Sequence, residues 1–257
     1  VTDAGTTLPI ASYTLRLYDA SGQLVASTST SETGEFVFAG LYGGTYYART
    51  WGAGNSQSLG FIDQVFSNMV CLECGPTMGT PILVTTGTDT LNINFALTKG
   101  GTVSGRVTDA ASGVGLPYYT DVELYSGSTG QKVATAFADT TGRYKLAVGL
   151  PSGAYFARSR NPHGYVDEIW NNLPCGIACD PSTGTAIAVT LGADTSGVDF
   201  ALDKGGSIQG VITDSLTGEA MPRVDVVVHD SLGNAVTSYT SSDANGAYEV
   251  SGLSTVS

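Results

Sequence analysis

The side chains best suited to chemistry are four cysteines, in two local pairs: Cys71-Leu-Glu-Cys74 and Cys175-Gly-Ile-Ala-Cys179. Paired thiols at this spacing suit a structural disulfide, a zinc site or a redox couple. The spacing changes from two intervening residues to three. A redox centre would be sensitive to that change, whereas a loop staple would tolerate it. A four-cysteine zinc site needs the two pairs to meet, and they lie about 100 residues apart. The reading is therefore two structural disulfides, each adding roughly 2 kcal/mol by the loop-entropy estimate. The two histidines, His163 and His229, stand alone and read as surface residues. The acidic pair Asp167-Glu168 becomes Asp63-Gln64 at its earlier counterpart, so a two-carboxylate site would exist once only. These residues are expected as surface charges of a short helix. No catalytic, cofactor or metal residues are assigned. Trp51, Tyr118, Tyr119, Tyr165 and Trp170 are candidate stacking faces for a sugar or contacts for a partner.

Charge narrows the choice of partner. The 257 residues carry a formal net charge of −12 and no basic stripe. That argues against nucleic acid and against an anionic membrane surface. It leaves room for weak divalent-cation binding. No apolar run approaches the ~20 residues of a spanning helix, so no membrane insertion is expected. Val1 starts inside a motif that occurs whole elsewhere, which reads as a processed chain or a piece of a longer one.

These residues sit in a chain that repeats itself. Gly101-Thr-Val-Ser-Gly-Arg-Val-Thr-Asp109 returns 105 residues later as Gly206-Ser-Ile-Gln-Gly-Val-Ile-Thr-Asp214, and Val1-Thr-Asp3 carries the same ending. Phe95-Ala-Leu97 returns as Phe200-Ala-Leu202. A period this long is a whole domain. The expected units are residues 1–99 (first strand largely missing), 100–204 (complete) and 205–257 (the N-terminal half of a unit).

Within the complete copy, apolar residues alternate with polar or small ones: Val122/Leu124, Tyr144/Leu146, Tyr155/Ala157, Ile187/Val189/Leu191 and Val198/Phe200/Leu202. The first copy fills the same slots with Leu15/Leu17, Phe36/Phe38, Tyr46/Ala48, Ile82/Val84 and Ile93/Phe95/Leu97. Such alternation predicts half-buried strands. Ser126–Gly130 and Asp139–Gly142 are read as hairpin turns. One stretch breaks the pattern. Tyr165–Asn172 and its counterpart Phe61–Asn68 space their aromatic and aliphatic residues as two helical turns do. They are expected as a helical crossover, with Trp170 and Phe66 capping the core.

The run Gly101–Asp109, then Asp139-Thr-Thr-Gly-Arg-Tyr144, then Gly149-Leu-Pro-Ser-Gly-Ala-Tyr155, resembles the carboxypeptidase regulatory-like domain. That family is similar in fold to Cna-B-type repeats and to transthyretin. The resemblance, which covers nearly the whole chain except the cysteine-containing insert, implies an all-β fold of tandem seven-stranded antiparallel Greek-key sandwiches, to which the spacing above adds a short helical, disulfide-containing insert in each. It also implies non-catalytic accessory domains, surface stalks or adhesin repeats of exported proteins. Cna-B repeats often cross-link a Lys to an Asn beside a buried acid. The first-strand lysine this needs is missing from Thr102–Asp109 and Ser207–Asp214, so no isopeptide bond is expected. Lys99 and Lys204 read as solvated linker charges.

The functional expectation is a non-enzymatic, extracellular structural protein of a bacterial surface, serving as stalk, adhesin shaft or filament. Its partners would be copies of itself or adjacent repeats, or glycans and host or cell-surface components. Because the last copy is half a sandwich, strand addition from a neighbour is one way to complete it. The alternative function is a carbohydrate-binding accessory array using the five aromatics.

Overall fold

The computed structural model describes residues 1–52, 59–72, 74–116, 118–176, 179–236 and 239–254. The described residues are β-strands and their connections, with short 3-10 turns such as Pro76–Met78 and Pro181–Thr183.

The first copy holds β1 (Thr2–Asp3), β2 (Thr14–Asp19), β3 (Leu24–Ser29), β4 (Gly44–Thr50), β5 (Gln64–Val65), β6 (Met69–Val70), β7 (Ile82–Val84) and β8 (Ala96–Leu97). Its main sheet runs β3-β2-β4-β5-β6, with β7 also on β4. The second copy holds β9 (Thr102–Asp109), β10 (Asp121–Ser126), β11 (Lys132–Phe137), β12 (Arg143–Lys145), β13 (Gly153–Arg160), β14 (Glu168–Ile169), β15 (Leu173–Pro174), β16 (Ile187–Val189), β17 (Asp194–Thr195) and β18 (Phe200–Leu202). Here β11-β10-β13-β14-β15, with β16 on β13, faces a second sheet in which β9 pairs with β12, β17 and β18. The third copy contributes β19 (Gly206–Val211), β20 (Asp225–Val226), β21 (Thr240–Ser241) and β22 (Ala247–Leu253), as two two-stranded sheets.

Alternation works as the pattern implied at most positions, whereas Leu191 is 46% exposed and the expected strand at Phe36–Phe38 is not formed. Val122, Leu124, Tyr144, Leu146, Tyr155, Ala157, Ile187, Val189, Phe200 and Leu202 form one buried cluster between the second copy's sheets. Leu15, Leu17, Tyr46, Ala48, Ile82, Phe95 and Leu97 form the corresponding cluster in the first copy. Burying each valine, leucine, isoleucine or phenylalanine of these clusters stabilises the fold by about 1.5–3 kcal/mol.

Four expectations are corrected. Tyr165–Asn172 and Phe61–Asn68 are not helical. They form β14–β15 and β5–β6, tight hairpins turned by Asn171-Asn172 and Ser67-Asn68, all four at positive φ. Asparagine tolerates that backbone region, and two successive left-handed residues reverse a chain tightly. Trp170 and Phe66 still pack on their respective cores. Secondly, the fold is not wholly antiparallel. Phe200–Leu202 pairs parallel with Val107–Asp109, Asp194–Thr195 pairs parallel with Thr102–Val103, and β8 pairs parallel with β1. In the first and second copies the last strand therefore points the way the first strand does. Thirdly, the described residues of the complete copy form ten strands, because the insert forms two and the last stretch splits into β17 and β18. Finally, Asp139–Gly142 closes no hairpin. It carries the chain from β11 in one sheet to β12 in the other. The Asp139 Oδ1 accepts the Thr141 and Arg143 amides at 2.7 and 3.0 Å, and Asp243 caps the equivalent corner in the third copy.

Candidate functional site

Each disulfide loop is held by a buried arginine. β4 ends in Ala48-Arg49-Thr50 and β13 carries Ala157-Arg158-Ser159. Arg49 and Arg158 are 8% and 4% exposed. Arg49 donates to the carbonyl oxygens of Cys71 and Leu72 at 3.2 and 2.9 Å, and Arg158 donates to Gly176 O at 2.9 Å. The cysteines are bonded as Cys71–Cys74 and Cys175–Cys179. A guanidinium brings several fixed donors to a loop whose carbonyls would otherwise be buried without partners.

The acidic residues beside the cysteines are correspondingly not the surface charges expected of a helix. Asp63, Gln64 and Glu168 are buried. Asp63 Oδ1 accepts the Gly52 amide at 2.8 Å and the Tyr13 and Thr50 hydroxyls at 3.1 Å each. Its backbone carbonyl accepts the Cys71 amide, as that of Asp167 accepts Cys175. Burial pushes the Asp63 carboxyl up to about 6, against the opposing pull of the Gly52 amide and Arg49. Asp167 is pushed up to about 6 by burial, with Arg158 and Arg160 opposing. Glu168 is pushed up to about 7 by burial and by Asp203.

The insert lies where one copy meets the next. At the first meeting, Gly60 N–H donates to Ala147 O at 3.2 Å, Gly149 N–H to Phe61 O at 2.9 Å, and Gly100 N–H to Gly60 O at 2.9 Å. Three backbone segments stack here with no room between them. A Cβ on Gly100 would lie 2.5 Å from the Gly149 carbonyl carbon, and one on Gly149 would lie 2.3 Å from Gly60 O. The second meeting repeats one of these bonds at equivalent glycines. Gly205 N–H donates to Gly164 O at 2.9 Å, and a Cβ on Gly205 would lie 2.5 Å from the Gly252 carbonyl carbon. Phe61 bridges to Lys99 and Tyr165 to Lys204 as isolated antiparallel pairs. The Lys99 and Lys204 ammonium groups sit 4.8 and 5.2 Å over those rings. The Lys-Gly-Gly segments are thus hydrogen-bonded joints rather than free linkers. The disulfide loops reach across them too. Leu72 packs against the second copy's core, and Gly176 lies against Val236 of the third.

The candidate aromatics do not form one surface. Trp51 lies under the Arg16 guanidinium, 3.9 Å from its ring centroid, with Arg49 at 4.8 Å. Trp170 is packed on the core. Tyr118 and Tyr119 are 61% and 80% exposed. Tyr119 and Tyr165 line a cleft between the second and third copies. The Tyr165 hydroxyl donates to Asp109 Oδ2 at 2.7 Å. His163 and His229 are exposed, each ring nitrogen meeting a backbone oxygen, of Tyr118 and of Gly233. Among the described residues, no cluster of three or more His, Cys, Asp or Glu side chains could hold a metal.

No known family model matches the chain. It is 28% identical over 261 residues to Colossin-A of Dictyostelium discoideum, across 94% of this chain and 2% of that protein. The chain thus spans about 2% of the length of the curated relative it matches. Among solved structures, the Bacillus anthracis TIE protein aligns at 15% identity and a TM-score of 0.32, over 97% of this chain and 42% of that one. The minor pilin GBS52 of Streptococcus agalactiae aligns at 14% and 0.28, over 77% and 84%. The shaft pilin SpaA of Lactobacillus rhamnosus GG aligns at 9% and 0.31, over 79% and 91%. TM-scores this low carry no argument about function.

The arginine anchors and the glycine joint were missed in the sequence. Their signal was present: Ala-Arg-Thr/Ser before each insert, and glycines at 60 and 164, 100 and 205, and 149 and 252.

Proposed function

We propose that this chain is a non-enzymatic spacer of an exported protein, in which residues 1–99, 100–204 and 205–257 are successive copies of one sandwich module. The observation that carries this reading is the joint. Two junctions use the same glycines and the same aromatic–lysine contacts. A chain whose copies meet in one repeated geometry builds length in regular steps. The parallel pairing of first and last strands supports it, because the chain leaves each module in the direction in which it entered. Two disulfides fit an oxidising compartment, and the module would serve there as stalk, adhesin shaft or filament on a bacterial surface. The match to a small fraction of Colossin-A fits a segment of a much longer chain. The sugar-binding alternative is less well supported, because the Trp51 face is taken by Arg16 and Trp170 is packed.

Electron microscopy of the purified chain tests the reading. Modules in file at a constant spacing are expected. Modules folded back side by side would refute the spacer role.

A further inference from the structure

Each joint has two halves. The donor half is the glycine–aromatic turn and the disulfide loop of the leading copy: Gly60, Phe61 and Leu72 at the first joint, and Gly164, Tyr165 and Gly176 at the second. The acceptor half is a Gly-Leu corner on the following copy: Gly149-Leu150 in the second copy and Gly252-Leu253 in the third. The first copy carries the same corner as Gly40-Leu41, in the sequence Phe38-Ala-Gly-Leu41.

That corner is bare. Gly149 and Leu150 are buried, whereas Gly40 is exposed and Leu41 half-buried. A Cβ on Gly40 would meet nothing within 4 Å. Among the described residues, no backbone partner is recorded for the Gly40 amide, while Gly149 donates to Phe61 O. The edge strand shows the same contrast. Val133 on β11 is 8% exposed in the cluster that Leu72 joins, and its counterpart Val25 on β3 is 46% exposed. An unmet amide and an exposed valine are stable on a surface, yet at the first internal joint both positions are covered, and at the second Gly252 is half-buried against the Tyr165 carbonyl.

We infer that the Gly40-Leu41 corner, together with the Leu24–Val25 edge, is an acceptor surface for the donor half of another copy of this module joined ahead of Val1. The occupant is specified by the two joints in view. It must bring a glycine at positive φ followed by an aromatic residue, as both joints do, with a carbonyl for the Gly40 amide and an apolar disulfide-loop residue for the edge strand, as Phe61 and Leu72 supply at the first. Side chains could not replace Gly100, Gly149 or Gly205, where the backbones approach too closely, and Gly60 and Gly164 stand at positive φ, where a side chain is strained. The inference rests on the reading of the chain as a file of modules.

The test is a fused chain in which residues 1–211 precede Val1, compared with the present chain by residue-resolved amide exchange. Val1 then follows Val211 as Ile212 does now. The Gly40 amide should exchange at least a hundredfold more slowly. Leu41 provides the control. Its counterpart Leu150 donates to Gly101 of its own copy, so Leu41 slows once its own first strand is complete, whatever the leading copy does. Gly164→Val in the leading copy should return Gly40 to fast exchange and leave Leu41 slow. A Gly40 amide as fast in the fusion as in the present chain, beside a slowed Leu41, would overturn the inference. So would a Gly40 that stays slow in the Gly164→Val fusion, or that slows with concentration in the unfused chain. Electron micrographs of the fusion address the spacer reading separately, since modules folded side by side would sink it even with Gly40 protected.

Discussion

Gly100→Ala is the smallest change that should open a joint while sparing both cores. The added Cβ would lie 2.5 Å from the Gly149 carbonyl carbon and from the Leu150 nitrogen. Both are backbone atoms, so the segments must separate. Separation breaks the Gly100–Gly60, Gly60–Ala147 and Gly149–Phe61 hydrogen bonds. At about 1 kcal/mol net for each bond, the closed joint loses about 3 kcal/mol. Its population relative to the open form then falls by about two orders of magnitude. Amide exchange reads this directly. Gly149 should exchange about a hundredfold faster, while Leu146, which donates to Val103 O inside the second copy at 3.0 Å, should keep its rate. Small-angle scattering should show a broader distribution of maximum dimension. An unchanged Gly149 would refute the claim that these glycines hold the joint. If Gly149 and Leu146 sped up together, the joint would not be separable from the module it serves.

Other changes probe the parts around the joint. Arg49→Met strands the carbonyls of Cys71 and Leu72 and removes the cation near Asp63, so urea denaturation should show a loss of about 3 kcal/mol. Replacing Cys71 and Cys74 by Ser should cost roughly 2 kcal/mol in thermal unfolding while leaving the strands formed. The Asp63 contribution to stability should fall as pH rises. Folded Asp63 keeps its proton up to about pH 6, whereas the unfolded carboxyl loses it near 3.8. Folding is therefore favoured below 3.8 and loses on the order of 3 kcal/mol between there and about 6, and Asp63→Asn should flatten that slope in denaturant melts. Trp51→Ala should lower stability by about 1 kcal/mol through loss of the Arg16 stack and leave glycan-array binding unchanged.

The sheets were legible because alternation is a local property. Leu15/Leu17 and Val122/Leu124 each state their inward face within three residues, and both are buried as read. The insert was misread because Tyr165, Val166, Ile169 and Trp170 satisfy a helical period, while the deciding residues, Asn171 and Asn172, act through backbone tolerance rather than hydropathy. Strand direction was illegible for another reason. Nothing in Phe200-Ala-Leu202 says which neighbour it meets or which way that neighbour runs. The buried Asp63 read as a surface charge, and Arg49 drew no reading, because composition cannot show that a backbone amide and loop carbonyls await them. The joint was hidden by its own chemistry. Lys-Gly-Gly looks like a flexible link, yet these glycines are small so that three backbones can touch.

The parallel pairing of β9 with β18 sets how the module would answer a pull along the chain. Tension enters at the start of β9 and leaves at the end of β18, and the two strands lie side by side pointing the same way. Their ladder is therefore loaded lengthwise, so its hydrogen bonds resist together instead of parting one after another like a zipper. Had the last strand run antiparallel to the first, the chain would enter and leave at one pole, and a modest force would peel the module open.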